Sequence, residues 1–132
     1  MIGLDTNVLV RLVAGDDPVQ TKQAKHFVDR HCTPESPGFI NCVVLVELVW
    51  VLAATYGYGR SEIAAAVEGL LAGDDRIVEH HDAVQAGLED YRSGRADFID
   101  AIIVHINRAR GCEATATFDR KAAKLAGFVR VT

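Results

Sequence analysis

Apolar positions come in short runs set off by abrupt polar breaks, and the first run sets the pattern. Ile2-Gly3-Leu4 reads as a strand ending in Asp5-Thr6-Asn7, after which a short apolar helix, Asn7 to Val13, is broken by Gly15. Asp17-Pro18 marks a helix start, an N-cap acid before proline at the first helical position, and Val19 to His31 carries Ala24, Phe27 and Val28 on one face. The turn-rich stretch Thr33 to Gly38 leads into a second strand, Phe39-Ile40-Asn41. Val43 to Tyr56 is too long and too continuously apolar for a strand, which predicts a largely buried helix stopped by Gly57 and Gly59.

Ser61 is placed to cap a helix through Leu71, ended by Gly73. Arg76 to Glu79 makes a third strand, and Asp82 is placed to cap a helix running to about Tyr91, broken by Ser93-Gly94-Arg95. Ala96 to Arg110 is the clearest helix of the C-terminal half, with basic residues in its last turn and Gly111 as its C-cap. Glu113 to Thr117 is a strand, Asp119 to Ala126 a short helix and Phe128 to Val131 a last strand. Strands separated by one or two helices predict an α/β fold with a parallel sheet covered by helices.

At 132 residues the chain is expected to form one domain, residues 1–132. No apolar run approaches the ~18 residues of a membrane helix, and no basic leader pattern precedes the first strand, so a cytoplasmic protein with no membrane role is expected. Cys32, Cys42 and Cys112 lack CxxC spacing and read as reduced structural thiols. The histidines show no HExxH or Cys/His ligand pattern.

The acids carry the candidate chemistry. In open α/β sheets the functional crevice lies outside the carboxyl ends of the strands, which is where Asp5 falls. Glu47 is the only non-apolar residue between Cys42 and Ala54. A buried charge there would cost several kcal/mol without a partner. Asp97 and Asp100 are three apart at a helix start and share a face. Asp119 follows a strand much as Asp5 does. For Asp5, Asp97 and Asp119 helix capping is the competing explanation; Asp100 lies one turn in, where capping no longer accounts for it. Together they predict a carboxylate-lined pocket at the carboxyl edge of a parallel sheet. Oxygen-only ligands select Mg²⁺ or Mn²⁺, a composition suited to phosphodiester hydrolysis by metal-activated water. The formal net charge of −4 argues against a broad polyanion binder, but with these five acids set aside in one site the remainder is slightly basic.

GLDTNVLVR, Glu47 within LVELVWVL, ADFIDAIIVHINRARGC and ATATFDRKAAKLAGF resemble the four acidic motifs of PIN domains, and specifically those of VapC-type toxin ribonucleases of bacterial toxin–antitoxin pairs. The resemblance covers essentially the whole chain. It implies a PIN-like three-layer fold, with a mostly parallel central sheet of about five short strands flanked by helices. By position the family's acids fall on Asp5, Glu47, Asp100 and Asp119, with Asp97 an alternative to Asp100 as the direct ligand. Thr6, Asn7 and more weakly Thr117 resemble groups that orient the metal or its ligands. The implied activity is Mg²⁺- or Mn²⁺-dependent cleavage of RNA. The implied partners are a cognate VapB-type antitoxin, operator DNA through the antitoxin complex, and a second copy in a homodimer.

Arg11, Arg95, Arg120 and Lys121 are the basic residues nearest these acids in sequence and are candidates for RNA contact, against the default of a solvated surface. His105 reads as a satisfied helix histidine rather than a base, and Trp50 and Tyr56 as core or subunit packing rather than base stacking. Two other classes remain. One is a phosphotransfer enzyme, although Asp5-Thr6-Asn7 lacks the second Asp of a DxD phosphatase. The other is a catalytically silent PIN-like module that binds antitoxin or nucleic acid.

Overall fold

A computed structural model describes residues 1–132 and contains six α-helices, one 3-10 turn and five short strands. The chain forms two compact units, Met1–Glu79 and His80–Thr132. No helix is long and apolar enough to cross a membrane.

In the first unit, β1 (Ile2–Gly3), β2 (Gly38–Ile40) and β3 (Arg76–Val78) form a parallel sheet in the order β1-β2-β3. Helix α1 (Thr6–Ala14) ends at Gly15, whose left-handed backbone lets its N–H reach the Arg11 carbonyl. Helix α2 (Pro18–His31) starts as the Asp17-Pro18 pair predicts, with the Asp17 carboxylate accepting the Gln20 N–H at 3.0 Å. Helices α3 (Cys42–Ala54) and α4 (Arg60–Ala72) complete the unit. Its core is Leu9, Ile40, Leu45, Leu48, Leu52 and Val67, all close to fully buried.

Helix α3 departs from the sequence reading. Leu45, Leu48, Val49 and Leu52 are buried, but Val43, Glu47, Trp50 and Ala54 lie along an exposed stripe at i, i+4, i+7 and i+11. The helix is therefore one-sided, and its continuous apolar sequence leaves Val43 79% and Trp50 62% exposed. Two capping assignments also move. Helix α4 starts at Gly59 rather than Ser61, because the Glu62 carboxylate reaches back to the Gly59 N–H at 3.1 Å.

The second unit shows the other shift. Helix α5 (His81–Arg92) is entered through His80 in a left-handed conformation, φ 55°, which puts Asp82 inside the first turn instead of at the cap. Helix α6 (Phe98–Arg110) packs against α5 and ends at Gly111 as expected. Tyr91 and Phe98 meet edge to face at 5.6 Å. Strands β4 (Thr115–Thr117) and β5 (Phe128–Arg130) form a second parallel pair. The helix expected after Asp119 shrinks to a 3-10 turn, Ala122–Lys124, since Leu125 leaves in an extended conformation. The α/β class and the all-parallel pairing match the expectation, with the five strands divided between two ladders.

Candidate functional site

Parallel pairing puts the carboxyl ends of β1, β2 and β3 on one edge, where the chain continues into Asp5, Asn41 and Glu79. Leu4 N–H bonds to the Phe39 carbonyl and Glu79 N–H to the Ile40 carbonyl, extending the ladder to that edge. Two of the three polar side chains there serve helix α3. Asn41 Oδ1 accepts the Val44 N–H at 2.8 Å, and Glu79 Oε1 accepts the Cys42 N–H at 2.9 Å. Asp5 differs. It stands at the N-cap of α1, yet its Oδ1 accepts only from the adjacent Thr6 N–H at 2.8 Å, not from the second or third helical amide. Capping thus engages one oxygen of an exposed carboxylate.

Thr6, next to it, is 4% exposed, and its Oγ1 is the one buried side-chain polar atom without a hydrogen-bond partner. Such a hydroxyl is costly to leave unmade unless something supplies its bond. Asn7 is exposed and lines a groove between α1 and α2. Glu47 is on α3, which packs against α1, and is exposed rather than buried in an apolar surround. The expectation of a desolvated Glu47 is overturned, because the helix turns that position outward.

In the second unit two acids, Asp97 and Asp119, act on a third, Asp100. Asp97 holds the N-cap position of α6 but makes no side-chain capping bond; its Oδ1 lies 3.8 Å from Lys121 Nζ. Asp100, one turn in, is half-buried. Its carboxyl is held above the usual carboxylate range, first by burial and then by the charges of Asp97 and Asp119, with Lys121 opposing. Asp119 is fixed by its loop. Its Oδ1 accepts the N–H of Lys121 at 2.8 Å and of Ala122 at 3.3 Å, while its own N–H donates to Thr117 Oγ1 at 3.0 Å. The capping explanation therefore holds for one oxygen of Asp119 and fails for Asp97.

These donors fit a hard divalent cation. They are oxygens only, and the raised proton affinity of Asp100 records a concentration of negative charge that a cation would relieve. Within neither unit do three such side chains close into a chelating cage. Mg²⁺ does not need one, since it retains several waters and takes one or two carboxylates. Burial pushes the Cys32 and Cys42 thiols up, which makes these two poorer metal ligands.

The basic candidates separate by environment. Arg11 is tied down, bonding Gln20 Oε1 at 2.6 Å, Asp16 at 3.3 Å and the Tyr56 hydroxyl at 3.3 Å, so its guanidinium and Tyr56 join α1 to neighbouring segments. Arg120 and Lys121 are exposed beside Asp119, and Arg95 pairs with Asp90 at 3.5 Å. His105 is satisfied as a helix histidine, its Nε2 2.7 Å from Asp90 Oδ2. Of the two packing roles expected for Trp50, core or subunit, its exposure removes the core one. Asp90, Arg108 and Lys124 went unread in the sequence, because only the pairing of α5 with α6 and the turn before β5 brings them together.

The description "PIN domain" belongs to the family model that matches this chain, over residues 2–128. Among curated proteins none matches the chain significantly.

Proposed function

The chain belongs to the PIN domain family, and from that premise we propose that it is a Mg²⁺- or Mn²⁺-dependent endoribonuclease, the VapC-type toxin of a toxin–antitoxin pair. The observation that carries this reading is the gathering of Asp97 and Asp119 around the half-buried Asp100, whose carboxyl is held above the usual range by burial and by the charges of the other two.

The divalent ion, when bound, supplies positive charge against the scissile phosphate and makes water a stronger acid. Asp100, Asp97 and Asp119 are the residues of the second unit that would hold it, and Asp5 and Glu47 are the candidates of the first. The backbone amides of Lys121 and Ala122 set the orientation of the Asp119 carboxylate, leaving Oδ2 outside their bonds, while Thr117 Oγ1 accepts the Asp119 backbone N–H. Asp100 keeps its proton to higher pH than an ordinary aspartate and gives it up on becoming a ligand. Arg120 and Lys121 offer positive charge to the RNA backbone. The Thr6 hydroxyl is free to donate beside Asp5.

On this reading the protein partners are a VapB-type antitoxin and a second copy of the chain, and operator DNA is reached only through the antitoxin complex. Exposed apolar side chains, Phe27 on α2 and Val43 and Trp50 on α3, are available for a partner to cover.

The test is cleavage of single-stranded RNA by protein purified free of partner. Cleavage is expected with Mg²⁺ or Mn²⁺ and is expected to disappear in EDTA and in Asp5→Ala. Cleavage without metal, or equal cleavage by the variant, rejects the mechanism; no cleavage by the intact protein under any metal favours the silent binding module.

A further inference from the structure

The second unit holds a pocket of about 370 Å³ lined by Asp90, Arg95, His105, Arg108, Lys124 and Leu125, none of them a member of the acid cluster. Asp90 is its single acid, and both of its oxygens are engaged. Oδ2 meets His105 Nε2 at 2.7 Å, and Oδ1 pairs with Arg95 at 3.5 Å. Arg108 donates to the Ala126 carbonyl at 3.4 Å and has no acidic partner, and the Lys124 ammonium has none either. The lining therefore combines one acid with two arginines and a lysine, a local positive excess in a chain of formal net charge −4.

The backbone makes room for this arrangement. Gly127 has φ +97°, and a Cβ there would lie 2.7 Å from Arg108 Nη2 and 2.5 Å from Val104 Cγ2. Only glycine leaves Arg108 where it is. Planar guanidinium groups match the oxygens of phosphate in paired geometry. The volume is at the lower end for sites of small organic ligands, too large for a bare anion and adequate for a nucleotide.

We infer that this pocket binds the phosphate ester of one nucleotide, at a site separate from the acid cluster. Asp100 and Arg108 share helix α6 and lie ~12 Å apart along its axis, so a short strand could reach both. That RNA supplies the ester rests on the nuclease reading; binding of a free mononucleotide does not.

The experiment measures binding in EDTA, where no cleavage occurs, by anisotropy with a short labelled single-stranded RNA and by calorimetry with adenosine 5′-monophosphate. Lys124→Gln is expected to weaken binding about 3- to 10-fold and to flatten the salt dependence of RNA affinity by about 0.7 in log–log slope. Lys25→Gln on α2, the same charge change on an exposed helix of the first unit, is expected to have no effect. Arg108→Gln also gives up its bond to Ala126, so it is compared with wild type only where melting curves coincide, and Lys124→Gln decides otherwise. Loss with both probes identifies a mononucleotide site and loss with RNA alone a strand subsite; either supports the inference. Wild-type protein binding neither probe, unchanged binding by Lys124→Gln, or an equal loss in Lys25→Gln overturns it. Cleavage with Mg²⁺ is scored separately. RNA bound through the pocket but not cut sinks the nuclease reading alone, and RNA cut with pocket variants binding normally sinks the pocket alone.

Discussion

Replacing Asp100 by asparagine is expected to lower RNA cleavage by on the order of 10²- to 10³-fold while raising the melting temperature of the metal-free protein. The loss follows from removing a proposed ligand, for which even supporting groups are worth about 10- to 100-fold. The gain follows from electrostatics. The Asp100 carboxyl is raised by burial and then by the charges of Asp97 and Asp119, which outweigh the opposing charge of Lys121. Like charges at helical spacing cost a few tenths of a kcal/mol each, which in a chain of this size is about 1–3 °C.

The pH dependence has a definite sign. A carboxyl whose folded pKa exceeds its unfolded value leaves the folded chain holding more protons between the two, so stability falls as pH rises through that window. The advantage of the variant is expected to be absent below about pH 4, near the unfolded aspartate value, and complete once pH passes the folded one. Saturating Mg²⁺ is expected to stabilise wild type more than the variant. Melting curves from pH 3 to 8 with and without Mg²⁺, beside a gel assay of cleavage, check all three points. A variant that cuts RNA as well as wild type, or that melts lower at neutral pH, contradicts the account.

Glu47 and Leu48 are neighbours in sequence with opposite roles, and their substitutions are expected to separate function from folding. Leu48 is fully buried, so Leu48→Ala removes about three carbons from a packed interior and is expected to cost about 3 kcal/mol, within the range of 2–5 for such changes. Glu47 is exposed, so Glu47→Gln is expected to leave stability within about 0.5 kcal/mol and to reduce cleavage. Denaturant melts and cleavage assays on the two proteins are the check. A large loss of stability in Glu47→Gln would mean that the carboxylate has a structural partner.

The same pair shows what the sequence could and could not tell. Element positions were legible where a residue has one physical use: Pro18 after Asp17 starts α2, and Gly15 and Gly111 end α1 and α6 by taking left-handed backbone. The acids of the second unit were legible for a similar reason, because Asp97 and Asp100 at helical spacing have to face one way. The exposure of α3 was hidden because a run that is apolar on every side has no periodicity from which a buried face can be chosen. Glu47 itself was the clue to the outer side. Competing caps were also undecidable from residue type, since Ser61 loses to the backbone of Gly59 only through the reach of Glu62. The Asp90–His105 contact joins residues fifteen apart on two helices, a pairing that exists only after α5 and α6 have packed.

Trp50 is the chain's single tryptophan and sits on the outer side of α3, 62% exposed. Its indole is already largely exposed in the native state, so its emission is expected to change less on melting of the core than that of a buried tryptophan. It is instead a built-in optical gauge of whatever comes to cover that helix.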